Sequence, residues 1–193
     1  MTELEAINEM LLSVQEAPIN TLDGVLPMEA LVARSCLTAV SREVQQRGWR
    51  FNTDLNVTLT KDNDDNITVG TAVHAVTFDP SSHPYNVVPV LLGRRVYDRY
   101  NQTYVIECAL KAKEVIRIEE WDSLPEVAKT YITKRAAREF AAKLRGAELV
   151  REAGIEEIQA WVTFSDEQNA NANPNMMDGR LGYLSLGRRH WRE

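Results

Sequence analysis

The sequence has little of what most catalytic chemistry needs. Its 193 residues contain two cysteines and three histidines. Neither Cys36 nor Cys108 belongs to a C-x-x-C pair or has a histidine at metal-ligand spacing, so both read as buried free thiols. His74, His83 and His190 are scattered, and His83 falls in a Ser-His-Pro loop where solvation accounts for it. There is no G-x-S-x-G elbow, H-E-x-x-H zinc motif or phosphate-cradling glycine loop. No apolar run reaches the roughly 20 residues that span a bilayer. The start, Met1-Thr2-Glu3-Leu4-Glu5, lacks the basic and apolar parts of a secretory signal, which leads to the expectation of synthesis in the cytoplasm without processing. The net charge of −6 argues against a general nucleic-acid binder, which needs basic surface to displace counterions. It is compatible with DNA passing by without being gripped.

What is present is an ordinary globular composition, 44% hydrophobic and 26% charged, arranged in two kinds of period. Leu4, Ile7, Leu11 and Val14 step by three and four, predicting a first helix opened by a Thr2–Glu5 capping box and ended by Pro18. A second helix starts near Pro27, with Met28, Val32, Cys36, Val40 and Val44 as an i+4 ladder beside Leu31, Ser35 and Ala39. Gly48 closes it, and Trp49 and Phe51 then alternate with polar residues as a buried strand entering a core.

From Phe51 to Ile118 the pattern alternates. Leu55, Val57 and Leu59 face one way, Lys61 to Asn66 is a polar turn, and Ile67-Thr68-Val69 returns as a strand. Further strands are expected at Ala75–Phe78, Val87–Leu92, Arg95–Tyr97, Tyr104–Cys108 and Val115–Ile118, with Asp79 to Pro84 a loop. Helical period resumes after Trp121. A second capping box pairs Ser123 with Glu126, and Ala128, Ile132, Ala136, Phe140 and Leu144 form a ladder beside Val127 and Tyr131. Gly146 ends that helix. A fourth runs from Ala147 to about Glu167, carrying Val150, Ala153 and Trp161. Asn169 to Glu193, rich in Asn and Gly and basic at its end, reads as an arm that orders on a partner.

The expected fold class is therefore α+β: a bundle of about four helices (residues 1–50 and 119–168), a β-rich insertion (51–118) and an extended C-terminal arm (169–193). In the arm, Leu181, Tyr183, Leu184, Leu186 and Trp191 supply apolar anchors, and Arg188, Arg189 and Arg192 charge, for a partner. The basic run Lys129, Lys134, Arg135, Arg138, Lys143 and Arg145 faces acidic groups further along, among them Glu148, Glu152, Glu156 and Glu157. Lys134, Arg135, Arg138, Glu152 and Glu156 are read as a charged face between subunits, which would set register more than affinity. DNA contact and a solvated face are the competing readings. The carboxylate clusters Glu119-Glu120-Asp122 and Asp62-Asp64-Asp65 are explained by a helix N-terminus and a polar turn. They also keep open a cell-wall or polysaccharide hydrolase with its site in the β insertion. A DNA-binding protein using the basic helix and the arm is the third reading.

Three blocks bear on that choice. The first runs from Ala6-Ile7-Asn8-Glu9-Met10-Leu11-Leu12-Ser13 through Glu16-Ala17-Pro18-Ile19-Asn20-Thr21-Leu22 to Val44-Gln45-Gln46-Arg47-Gly48-Trp49-Arg50-Phe51-Asn52. The second is Gly93-Arg94-Arg95-Val96-Tyr97-Asp98-Arg99 followed by Thr103-Tyr104. The third is Trp121-Asp122-Ser123-Leu124-Pro125-Glu126 with Tyr131-Ile132 and Ala136-Ala137-Arg138-Glu139-Phe140. In this order, from Ala6 to about Gly146, they resemble the tail tubular protein A family, the adaptor ring of short-tailed double-stranded-DNA phages. The sequence departs from the pattern where Glu16-Ala17-Pro18 replaces a Gly-Glu-Pro-Pro-like turn and Gln15 stands for the expected glycine.

The resemblance implies a structural virion protein of the tail, without catalytic residues, cofactor or metal. It implies a homo-oligomeric ring of about twelve subunits between the portal protein and the tail nozzle protein (tail tubular protein B). Tail fibre protein would attach near the junction, and DNA would pass through the lumen without specific binding. No membrane anchor is expected.

Overall fold

Capping chemistry opens the first helix as expected. In the computed structural model, which describes residues 1–144 and 147–170, Thr2 Oγ1 accepts from the Glu5 N–H at 3.2 Å and the Glu5 carboxylate accepts from the Thr2 N–H at 2.8 Å. Helix α1 (Glu3–Ser13) buries Ala6, Ile7, Met10 and Leu11, while Leu4 is half-buried. Pro18 does not end it. Gln15 takes a φ of +63°, and the N–H groups of Gln15 and Glu16 donate back to the carbonyls of Leu12 and Leu11, each at 3.0 Å. This paired-bond stop usually carries glycine at the left-handed position.

Helix α2 (Met28–Gln45) follows Pro27 and buries Ala30, Ala33, Cys36, Leu37, Val40, Val44 and Gln45. The expected stripe is corrected at its start: Met28 is 70% and Leu31 49% exposed, and Ser35 and Ala39 are exposed too. An i+4 ladder drifts by about 40° per step on a helix of 3.6 residues per turn. Its first rungs therefore leave the core, and Ala33 and Leu37 on the other flank replace them. After Gly48 (φ +72°), Arg50–Asn52 form a 3₁₀ turn and not a strand. Trp49 and Phe51 are half-buried, less than expected, and pack on the helical core.

The middle of the chain makes two antiparallel sheets. Strands β1 (Thr53–Leu59), β2 (Val73–Phe78) and β5 (Leu110–Arg117) form one in the order β1-β5-β2, while β3 (Pro89–Leu92) pairs with β4 (Arg95–Asp98). Registers such as Val57↔Ala112 and Val76↔Val115 alternate buried and open positions on β5. Leu55 is 65% exposed beside its cross-strand partner Glu114.

Two expected strands are absent. Ile67-Thr68-Val69 meets β4 through a single bridge, Thr68↔Arg95, flanked by bonds from the Val69 N–H to the Arg94 carbonyl and from the Val96 N–H to the Ile67 carbonyl, each at 2.9 Å, and Ile67 is buried with Val96, Ile106 and Leu110. Tyr104–Cys108 is a loop, anchored where the Ile106 N–H donates to the Asp65 carbonyl at 3.0 Å. Pro80–Ser82 forms a 3₁₀ turn within the expected loop.

Helices return after a 3₁₀ turn at Trp121–Ser123, with α3 (Glu126–Leu144) and α4 (Ala147–Ala170). The Ser123–Glu126 capping box does not form. Helix α3 begins at Glu126, whose carboxylate is taken by the Met1 ammonium at 2.7 Å and by Lys129 at 3.1 Å. The ladder Ala128, Ile132, Ala136 and Phe140 is buried, whereas Leu144 is 40% exposed. Helix α4 continues past Glu167 to Ala170, so the first two residues of the expected arm are helical. The stop at Gly146, the side chains of Val150 and Ala153 and the rest of the arm lie outside the described residues. All four helices contribute to one apolar cluster, which includes Phe164, fully buried. The class is α+β. Both cysteines are free, Cys36 buried and Cys108 half-buried.

Candidate functional site

The first block ends in a polar latch that joins the helical bundle to the sheet. Gln45, buried at the end of α2, donates from Nε2 to the Glu119 carbonyl at 3.1 Å and accepts the Glu119 N–H at 2.7 Å. Asn52, 2% exposed, donates to the carbonyls of Gln45 and Arg117 at 2.8 and 2.7 Å and accepts the Trp49 N–H at 2.7 Å. Two amide side chains thus replace the backbone pairing that the chain loses where it leaves a helix and enters a strand. Gly48 is required there. Its φ is left-handed, and a β-carbon would stand 2.7 Å from Ile116 Cδ1 on β5.

Beside the latch lies an aromatic cluster. Trp49 donates from Nε1 to the Val44 carbonyl at 2.7 Å and meets Phe164 edge-on at 4.7 Å. Phe164 stacks on Tyr131 at 5.5 Å, and Trp161 lies 5.1 Å from Tyr131. Sequence periodicity found Trp49, Tyr131 and Trp161 but missed Phe164. Its spacing of three from Trp161 was the available signal.

The other end of the first block is a clamp. The Asn8 side chain donates to the Ile19 carbonyl at 2.9 Å and accepts the Ile19 N–H at 2.8 Å, holding the loop onto α1. In the third block, Trp121 Nε1 donates to the Met1 carbonyl at 3.2 Å.

The second block organises the β3–β4 hairpin around Asp98, 2% exposed. Burial opposes its ionisation, yet the carboxyl sits below the ordinary aspartate range. The Val88 N–H, the Asn101 side chain and the Tyr100 N–H all donate to it, at 2.9, 2.6 and 2.9 Å. Gly93 turns the hairpin with φ +62°. Tyr97 and Tyr104 meet edge-on at 4.9 Å, with the Arg95 guanidinium 4.6 Å above the Tyr104 ring. A cleft of about 470 Å³ opens beside this hub, lined by residues that include Asn86, Thr103 and Glu107. Asp98, on its wall, is already saturated with donors, so that carboxylate is structural and not poised for proton transfer.

Among the described residues the candidate catalytic groups have exposed or structural settings. His74 is exposed on β2, and His83 Nδ1 faces the Pro84 carbonyl at 3.2 Å. Asp62 accepts the N–H groups of Asp64 and Asn66 at 3.0 and 2.8 Å, and Asp65 pairs with Lys61 at 2.7 Å. That cluster is a turn. Glu119 is engaged by Gln45 through its backbone. Among the described residues no group of three or more metal-ligating side chains converges, and no helix is long and apolar enough to cross a membrane.

Of the charged residues expected at a subunit boundary, Lys134, Arg135, Arg138 and Glu156 are paired inside the chain. Lys134 bridges Glu9 at 2.7 Å and Glu156 at 2.6 Å. Burial opposes its charge, but these two carboxylates hold its ammonium above the ordinary range. Arg135 binds Glu43, and Arg138 pairs with Glu157 at 2.7 Å. These contacts tie α3 to α1, α2 and α4, since helices packed around α3 bring the opposite charges within reach. The basic run is not one face. Lys129 turns inward at 7% exposure, and Lys143 reaches Cys36 Sγ at 3.1 Å. The Glu152 side chain, Arg145, His190 and the arm residues from Leu181 to Arg192 lie outside the described residues.

What remains open is apolar surface. Ile155, Ile158 and Val162 on α4, Met28 and Leu31 on α2, and Tyr85 and Tyr100 in the insertion are all half or more exposed or nearly so. Such side chains suit contact with other proteins. A family model described as tail tubular protein matches residues 4–176. No curated protein matches the sequence.

Proposed function

The chain belongs to the tail tubular protein family and is a structural component of the phage tail, and we propose that within the tail it forms the adaptor ring that joins the portal vertex to the nozzle. The observation that carries this reading is the order of the three blocks. Each spends side-chain polar groups on holding backbone: Asn8, Gln45 and Asn52 in the first, Asp98 in the second, the Trp121 indole N–H in the third. A pattern built from latches and clamps suits a part that bears load between neighbours.

In this reading the helical bundle (1–50 and 119–168) and the β insertion (51–118) are two rigid lobes joined at Gln45 and Asn52. The arm (169–193) grips the portal. Tail fibres attach near the nozzle junction, and DNA passes an acidic or neutral lumen. The net charge of −6 is favourable to such a passage.

Electron microscopy of the purified chain mixed with portal rings tests it. A ring of extra density on the portal is the expected result, lost when residues after Asn173 are deleted. Binding to nozzle complexes but not to portals would refute the adaptor assignment. Full-strength portal binding by the truncated chain would move the docking surface to the helical bundle.

A further inference from the structure

Two exposed stripes on different helices match in length, shape and charge. On α4, Ile155, Ile158 and Val162 are 58%, 65% and 50% exposed, while Phe164 points into the core. Steps of three and four place them on one ridge, and exposed Asp166 continues it. On α2, Leu31 is 49% exposed, and Ser35, Thr38 and Arg42 follow it on one exposed line. With Ala39 and with Arg34, whose guanidinium is held by Glu3 at 3.0 Å, these residues border a shallow groove. Leu31 to Arg42 and Ile155 to Asp166 have the same offset, about 16 Å of helix.

The stripes are not positioned to satisfy each other within one chain. Helix α3 is the shared packing partner of α2 and α4, so the two outer helices flank it. We propose, resting on the ring reading above, that the α4 ridge of one subunit packs in parallel into the α2 groove of the next. Parallel alignment sets Ile155 beside Leu31 and Asp166 beside Arg42. The branched side chains of the ridge then lie over the small residues Ser35, Thr38 and Ala39, as ridges fit grooves between helices. The antiparallel alternative puts Asp166 against Leu31 and leaves Arg42 facing Ile155. The charge pair thus fixes direction and register. Because the two patches differ, the contact is heterologous: every subunit offers both halves, and repetition produces a ring if the rotation closes.

The experiment uses tails isolated from virions that carry Leu31→Cys and Ile155→Cys together in a Cys108→Ser background. Oxidation is expected to give a ladder of dimers, trimers and higher species on non-reducing gels, and neither single-cysteine chain should do so. Tails that contain the double variant yet yield only monomers overturn this interface and leave the tail role intact. Oxidation that links the chain only within itself, or only to another tail protein, also overturns it. Wild-type chain missing from tails removes the reading on which the interface rests. If the cysteine chain alone fails to enter tails, charge reversal decides. Arg42→Glu and Asp166→Arg should each lower incorporation about tenfold, and their combination should restore it to within about twofold; no restoration overturns the proposal.

Discussion

Asn52→Ala should be among the most damaging single substitutions in the described chain. The side chain is 2% exposed and serves three backbone groups: the carbonyls that end α2 and β5 and the N–H that starts the 3₁₀ turn. A buried backbone group left without a partner costs about 1–3 kcal/mol. Two of the three bonds are only partly buried, so water reaches part of the gap. We expect a loss of about 3–5 kcal/mol, or roughly 6–20 °C in melting temperature for a chain of this size.

Asn52→Asp is the sharper variant, since it preserves shape. Its carboxylate still accepts the Trp49 N–H but faces two carbonyl oxygens. Burial and those oxygens raise its folded pKa, so the folded state binds the proton more tightly than the unfolded chain. The variant should therefore be most stable below the unfolded value of about 4 and lose stability as pH rises from there through the raised folded value. Urea denaturation followed by far-ultraviolet circular dichroism between pH 3.5 and 7.5 measures both effects. A loss below about 1 kcal/mol in Asn52→Ala, or a pH-independent deficit in Asn52→Asp, would refute the latch.

Asp98 leads to the opposite pH dependence. Its carboxyl is held below its ordinary value of 3.8, so the stability it contributes is present above about pH 4 and is lost as pH falls through the depressed folded value. Asp98→Asn should flatten that acid-side slope in thermal melts. Trp49→Ala removes a half-buried ring with one hydrogen bond and an edge contact to Phe164. It should cost about 2–4 kcal/mol, and an unchanged melting temperature would mean a surface role instead. Gln15→Gly relieves a left-handed backbone at φ +63°. Glycine adds unfolded-state entropy in return, so calorimetry should find a net gain of up to about 1 kcal/mol.

Local rules in the sequence determined the existence and type of the long helices, the α+β class and the polar character of the Lys61–Asn66 turn. Capping at Thr2–Glu5 and the left-handed stop at Gly48 are decided within a few residues, where propensity and hydrogen bonding act directly. The same local logic misplaced whatever a distant partner controls. The spacing of Ser123 and Glu126 suits a capping box, but the Met1 ammonium, 125 positions away, takes the carboxylate. Ile67-Thr68-Val69 has strand-like residues, but its pairing with β4 stops at the one bridge Thr68↔Arg95. The basic side chains of α3 have the spacing of a surface face. The packing of α1, α2 and α4 around that helix also gives Lys134, Arg135 and Arg138 partners inside the chain. The latch residues Gln45 and Asn52 were visible as letters within a family pattern, and their roles were not, because a side-chain amide acquires its function from which backbone groups the fold leaves unpaired. Sequence period sets what each segment can become; long-range packing sets which partner it meets.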